Sequence, residues 1–340
     1  MMTNEEVVKV TLKLLADNKE WESRYNGYAK AILKNSDKYG RRSRKFHINS
    51  PLYIYSSITK VKNNSSTCTY DLRFAGQSVG SIAVNKEGQV YLTVTDEQAK
   101  YASRHFDFTE AKGLKKVEWK SPAAIDFRQF FEEQLSTKET KIHSQEHRIE
   151  NWMLAEFNKR TRAEGKKLCN IQPVKLGEKF FQLATPLSAS KHGEIPKYSC
   201  ENGGGIDILA RVNHTNNKRD NRLAVIELKD ENKPNESQAM ALQQSLVYAT
   251  FLANLLRSDH GNDWWHIFGR SNEVPELLHL DAVTLMPDEG ASEEGCLDEI
   301  VINDINVIIH PHTLYYKRDK DGNPDGFSGT LKESLRNKGE

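Results

Sequence analysis

Apolar residues recur every three to four positions in EEVVKVTLKLLA (residues 5–16), behind two acids, which predicts an opening helix. A second helix is expected over residues 25–33. The basic run Lys38-Tyr39-Gly40-Arg41-Arg42-Ser43-Arg44-Lys45 follows it and reads as a loop. From Pro51 the pattern shortens to strands, over residues 51–61, 67–76, 78–85 and 89–96. Asn63-Asn64, Gly76-Gln77 and Glu87-Gly88 supply the turns between them. A small α+β module with an antiparallel meander is the expectation.

Residues 110–140 are mixed, charged and weak in periodicity, so the domain boundary is expected there, with a module over 1–120 and a second domain over 140–318. A helix should run over 144–164, capped by Ser144 and stopped by Gly165. Strands are expected at 171–175, 180–183, 203–212 and 222–229, then a helix opened by Asn235-Glu236-Ser237. LLHLDAVTLMP and INVIIHPHTLYYK read as two more strands. The polar, turn-rich tail from Lys317 is expected to fray.

Composition narrows the class. With 37% hydrophobic residues and a mean hydropathy of -0.68, the chain reads as a polar globular protein. Apolar stretches are broken by charges or Asn before reaching bilayer length, so no membrane span is expected. The N-terminus lacks a basic patch followed by an apolar core, hence no secretory signal. Cys68, Cys169, Cys200 and Cys296 form no C-x-x-C pair. That favours free thiols and a cytoplasmic location over zinc ribbons or a disulfide framework. The net charge is +1, yet residues 1–140 hold 23 Lys and Arg against 17 Asp and Glu, leaving the remainder acidic. A basic front suits phosphate contacts, although uneven surface charge is also ordinary.

The chemical signal lies in residues 203–248. Asp207 ends an apolar run in GGGIDILA, Glu227 and Lys229 flank Leu228 in AVIELKD, and Gln244 and Tyr248 stand four apart on the next helix. This order of elements and motifs, over about residues 144–316, resembles the PD-(D/E)XK, or restriction-endonuclease-like, nuclease superfamily. Ile206 replaces the usual Pro before the Asp. Gln244 and Tyr248 match the Q-x-x-x-Y helix of some branches. The resemblance implies an α/β fold, a mixed sheet flanked by helices. It also implies Mg²⁺- or Mn²⁺-dependent phosphodiester hydrolysis, and an acidic ligand from the domain's opening helix. Glu150 is the first choice for that ligand, followed inward by Met153, Leu154 and Phe157; Glu146 and Glu156 are rivals.

The residues support the grouping on their own. Alternation along a strand puts Glu227 and Lys229 on one face, and pairing of the two motif strands would bring Asp207 close to Glu227. Two carboxylates and the Leu228 carbonyl make an oxygen-only site suited to Mg²⁺ or Mn²⁺. Lys229 would orient the attacking water or stabilise charge on the phosphate. Gln244 and Tyr248 share a helical face and would complete the pocket, and Gly203–Gly205 would let backbone approach substrate. A lone Glu-x-Lys pair is usually a solvated ion pair. A Glu within the apolar VIEL run instead demands a partner.

Other candidates are weaker. Arg41, Arg42, Arg44 and Lys45 could grip nucleic-acid phosphates. His310 and His312 share a strand face but lack a nearby third ligand and read as ordinary strand residues. Trp264-Trp265-His266 reads as core closure. No phosphate loop or serine nucleophile elbow is present. The expected function is a metal-dependent DNA nuclease, of restriction, repair or phage-defence type, with a homodimer as one expected assembly. The alternatives are the same chemistry on RNA, an effector activated by a partner, a non-cutting nucleic-acid-binding module, or action on another phosphate ester.

Overall fold

A computed structural model describes residues 2–47, 52–57, 67–74, 77–106, 114–136, 145–160, 162–168, 170–176, 179–189, 195–200, 203–214, 221–290 and 293–336. Helices α1 (Asn4–Asp17) and α2 (Glu20–Ser43) precede strands β1 (Leu52–Ser57), β2 (Cys68–Phe74), β3 (Gln77–Val84) and β4 (Val90–Thr93). Helix α3 (Asp96–Phe106), strand β5 (Val117–Glu118), and helices α4 (Pro122–Ser136) and α5 (Gln145–Asn158) follow. Short strands come next: β6 (Ile171–Pro173), β7 (Lys175–Leu176), β8 (Lys179–Gln182), β9 (Ala184–Thr185), β10 (Leu187–Ser188), β11 (Lys197–Tyr198) and β12 (Gly204–Gly205). Then come β13 (Ile208–Asn213), β14 (Asn221–Leu228), α6 (Gln238–Arg257) and α7 (Gly261–Ile267). The last elements are β15 (Leu278–Pro287), β16 (Ile300–Ile302), β17 (Val307–Arg318), β18 (Pro324–Ser328) and α8 (Thr330–Arg336). The architecture is mixed α/β.

The chain forms two compact units, neither continuous in sequence. The smaller comprises Lys30–Asn151 and Lys175–Phe181; the larger comprises Met1–Ala29, Trp152–Val174 and Gln182–Glu340. This division differs from a single boundary between 110 and 140. Helix α1 buries Val7, Val8 and Leu15 and packs with α6, so the first residues of the chain belong with the last half.

The smaller unit is built on a sheet of order β5-β4-β3-β2-β1-β8-β7. Strands β1 to β4 form the expected antiparallel meander. The Glu87-Gly88 turn is as expected, with Gly88 at φ 83° and its N–H on the Asn85 carbonyl. The turns expected at Asn63-Asn64 and Gly76 and the Ser144 cap fall outside the described residues. Between 110 and 140, where little regularity was expected, Ala124, Phe127 and Phe131 keep helical spacing and form the buried side of α4. Helix α2 runs past residue 33 to Ser43, so most of the basic run is helical rather than loop. Cations in a last helical turn meet the negative end of the helix dipole.

The larger unit carries a sheet of order β16-β17-β15-β14-β13-β6, with β18 paired to β17. Strands β13 and β14 are antiparallel, whereas β14, β15 and β17 are mutually parallel. The buried apolar run Leu223–Ile226 suits a strand covered on both faces. Helix α6 begins at Ser237, whose side chain accepts from the Met240 N–H, and joins β14 to the parallel β15. It is long and apolar enough to span a bilayer, yet 78% of that stretch is buried in the fold, as befits a core helix. Trp264 and Trp265 are buried core residues. The tail from Lys317 does not fray: β18 pairs with β17, and α8 buries Leu331.

Candidate active site

The sheet register sorts the chemistry onto two faces. Ile208 pairs with Ile226 across β13 and β14, so one residue further Asp207 faces Glu227. Side chains alternate; Asp207, Glu227 and Lys229 therefore share one face, and Ile226 and Leu228 turn to the other. The expected strand over 203–212 breaks at this point. Gly204 and Gly205 pair with β9, and Asp207 sits between that ribbon and β13.

Glu227 and Lys229 are both buried, and the Lys229 ammonium donates to Glu227 Oε1 at 2.9 Å. A carboxylate taken out of water next to its own countercharge is the arrangement that the VIEL context demands. Asp207 Oδ2 accepts from the Leu228 N–H at 2.9 Å. A strand residue turns its N–H and C=O to the same edge, so the Leu228 carbonyl also faces the Asp207 side. The other edge is held by the Lys229 N–H on the Leu285 carbonyl, and the Tyr316 hydroxyl donates to the Lys229 carbonyl at 3.3 Å.

Helix α6 supplies the remaining wall. Gln244 Nε2 donates to the Ala189 carbonyl at 3.4 Å. Tyr248 is buried against the Gly204 ribbon and receives a hydrogen bond from the Ala189 backbone. Burial, and then the charges of Glu227 and Asp207, push the Tyr248 phenol well above its usual range, against Lys229 and the Ala189 bond. The hydroxyl thus stays protonated and serves as a neutral hydrogen-bonding group. A Cβ on Gly203 would meet the Leu187 backbone at 2.5 Å, and one on Gly204 would collide with the Tyr248 hydroxyl. Gly204→Ala is expected to displace the Tyr248 ring, changing the near-ultraviolet circular dichroism while leaving the far-ultraviolet secondary-structure signal unchanged.

Glu150 lies in the smaller unit, buried, where it accepts from the Tyr55 hydroxyl at 3.3 Å. Within the larger unit the candidate oxygen donors are Asp207, Glu227 and the Leu228 carbonyl. The rival Glu156 is buried and binds Lys159 at 2.7 Å and the Lys167 N–H. In the basic run, Arg41, Arg44 and Lys45 are exposed. Arg42 instead donates to the Val84 carbonyl at 3.1 Å and to Cys68 Sγ at 3.6 Å.

The opposite face of the sheet holds a cluster that no local spacing announces. Asp281 of β15, with no exposed surface, meets His214 Nε2 at 2.7 Å, Arg222 Nη1 at 3.3 Å and His312 Nε2 at 3.6 Å. His312 therefore does have nearby ligand partners, contrary to its reading as an ordinary strand residue. They come from the end of β13 and from β15, remote in sequence, so local spacing carried no signal. Beside this cluster, His310 stacks on His279 and binds Glu299 at 2.7 Å. Burial, then Arg222, hold the His310 imidazolium below its ordinary value of 6.5. The folded state thus binds fewer protons there than the unfolded chain, and stability is expected to fall as pH drops below about 6.5. His310→Gln should flatten that slope in urea titrations across the acid range.

No protein-family model matches the chain, and no curated protein or solved structure matches it either.

Proposed function

We propose that the chain is a divalent-metal-dependent phosphodiesterase of the PD-(D/E)XK type, acting on DNA. The observation that carries this reading is the convergence of Asp207, Glu227 and Lys229 on one face of the antiparallel β13–β14 pair, with Tyr248 of α6 within electrostatic reach of all three. The helix linking the second motif strand to a parallel neighbour gives the element order that the resemblance implies.

The donor set fits Mg²⁺ or Mn²⁺: two carboxylates and a main-chain carbonyl turned to the same edge are oxygen ligands of the required hardness. Asp207, Glu227 and the Leu228 carbonyl would hold such an ion, which would polarise a phosphate oxygen and acidify a water. Asp207 and Glu227 hold negative charge where a cation is wanted. Lys229, anchored through its carbonyl by Tyr316, orients the water and stabilises charge on the transferring phosphate. Tyr248, neutral throughout the working pH range, donates to a phosphate or water, with Gln244 beside it on the helix. The β9–β12 ribbon brings the Gly204 backbone against Tyr248. Exposed Arg41, Arg44 and Lys45 are suited to phosphate contacts that position a duplex without reading its sequence. Free thiols at Cys68, Cys200 and Cys296 suit a reducing cytoplasm.

Supercoiled plasmid, linear DNA and single-stranded RNA incubated with the full chain provide the test. Nicked or linear DNA in Mg²⁺ or Mn²⁺, and none in excess chelator, is the expected result. Products from RNA alone would reassign the substrate. Inertness toward every substrate in either metal would overturn the reading.

A further inference from the structure

We propose that His214, Asp281 and His312 form a second cation site, on the sheet face opposite Glu227, selective for a late first-row divalent ion of the zinc class. The three side chains each offer one ligand atom, and these atoms all lie within 4.8 Å of one another. Register places them on one face. Asp281 aligns with Ala224 and His310, whereas Glu227 aligns with Thr284, an odd number of residues along β15. His312 lies two residues beyond His310, on the Asp281 side, and His214 continues the Ala210–Val212 alternation of β13 on that side.

Hydrogen bonding behind the ligands favours this reading. Ser334 Oγ donates to the Leu331 carbonyl at 2.7 Å, which uses its one proton. Its 3.2 Å contact with His214 Nδ1 then requires that nitrogen to carry the hydrogen. A neutral His214 consequently turns the lone pair of Nε2 toward the Asp281 carboxylate, 2.7 Å away. Two acceptors at that distance repel unless a cation lies between them. That cation is either a proton, making His214 an imidazolium, or a metal. His312 repeats the arrangement: its Nδ1 is 3.5 Å from Thr330 Oγ1, while its buried Nε2 points inward with no hydrogen-bond partner among the described residues. Second-group contacts on one ring nitrogen are how proteins aim the other at a metal.

Geometry and chemistry select the ion. Bonds of about 2.1 Å in a tetrahedral site set donors about 3.4 Å apart. His214 Nε2 lies 2.7 Å from Asp281 Oδ2 and His312 Nε2 3.6 Å from Asp281 Oδ1, so side-chain rotations of modest size bring one carboxylate oxygen and both imidazoles to that spacing. Two imidazoles and one carboxylate suit zinc, cobalt or nickel and disfavour magnesium. Arg222 stays on Asp281 Oδ1, where its positive charge balances the carboxylate in the absence of metal. The His312 side chain retains slight exposure, which puts the edge of the cluster near solvent.

The test uses the full chain, stripped with chelator and titrated with Co²⁺ while visible absorption is followed. One equivalent is expected to bind with the intense bands of a four-coordinate site, to be displaced by one equivalent of Zn²⁺ and to resist excess Mg²⁺. His214→Gln and His312→Gln should each weaken binding at least a hundredfold, and Ser334→Ala about tenfold. The double substitution Asp207→Asn and Glu227→Gln should leave the bands unchanged, which keeps this outcome distinct from that of the nuclease reading. Circular dichroism and thermal melting of each variant, with and without Zn²⁺, separate lost binding from lost folding. A Zn²⁺-dependent rise in melting temperature is expected in wild type and absent in His312→Gln. Absence of bands at about millimolar Co²⁺, bands untouched by both histidine substitutions, or bands lost with Glu227 would each overturn the site and leave Asp281 as the centre of a charge network.

Discussion

Glu227→Ala is expected to abolish metal-dependent cleavage, and Lys229→Ala to reduce it about 10²–10⁴-fold, the range for losing a positioned proton-transfer or charge-stabilising group. The two substitutions should separate in stability. Lys229→Ala leaves the Glu227 carboxylate buried beside Asp207 without its 2.9 Å partner, and breaking a buried pair from one side costs about 3–5 kcal/mol. Glu227→Ala leaves a lysine whose longer stem can carry its ammonium toward solvent, so a smaller loss is expected. Added Mg²⁺ should restore part of the stability of Lys229→Ala, because a second cation can replace the missing charge. Urea melts with and without Mg²⁺, run beside plasmid cleavage, check all three outcomes. Cleavage unchanged in both variants would remove these residues from the mechanism.

The second large effect concerns Asp281. Asp281→Ala removes the one anion shared by His214, Arg222 and His312, and it leaves buried donors facing a cavity; a loss of about 3–5 kcal/mol is expected. Burial by itself would raise this carboxyl. The hydrogen bond from His214 and the charges of His214 and His312 outweigh it and hold the group well below its ordinary value of 3.8. With a depressed folded-state pKa, the contribution is complete above about pH 4 and is lost as pH falls below it. Wild type should therefore lose stability more steeply than Asp281→Ala on acidification below pH 4. Equal slopes would show that the carboxylate contributes no such linkage.

Much of the candidate-site face was legible because its signals are local. Glu227 and Lys229 declare a shared side by alternation, the apolar run around them announces a buried strand, and Ser237 marks the start of α6. Asp207 needed one further inference, that its strand pairs with β14, and the antiparallel register supplies it. Glu150 shows the limit. Its helix α5 was legible and its buried side was expected, whereas its contact with the Tyr55 hydroxyl comes from another part of the chain and carried no local signal. The histidine cluster was invisible for the same reason. His214, Asp281 and His312 lie on separate strands with no shared spacing, and the hydroxyls that orient them come from α8, in a tail whose polarity resembled that of a frayed end. The assignment of α1 to the larger unit was likewise hidden, since an amphipathic pattern names the buried side of a helix but not its partner.

Strand β14 carries Glu227 toward α6 and Arg222 toward Asp281, on opposite sides of one ribbon. A one-residue slip against its neighbours would reverse every side chain on it. Glu227 and Lys229 would then enter the histidine side, and Arg222 would lose its carboxylate. An all-apolar central strand could tolerate such an error at the cost of some packing. Here the mistake strands charge on both sides at once, so the two polar clusters together act as a proofreading device for strand alignment during folding.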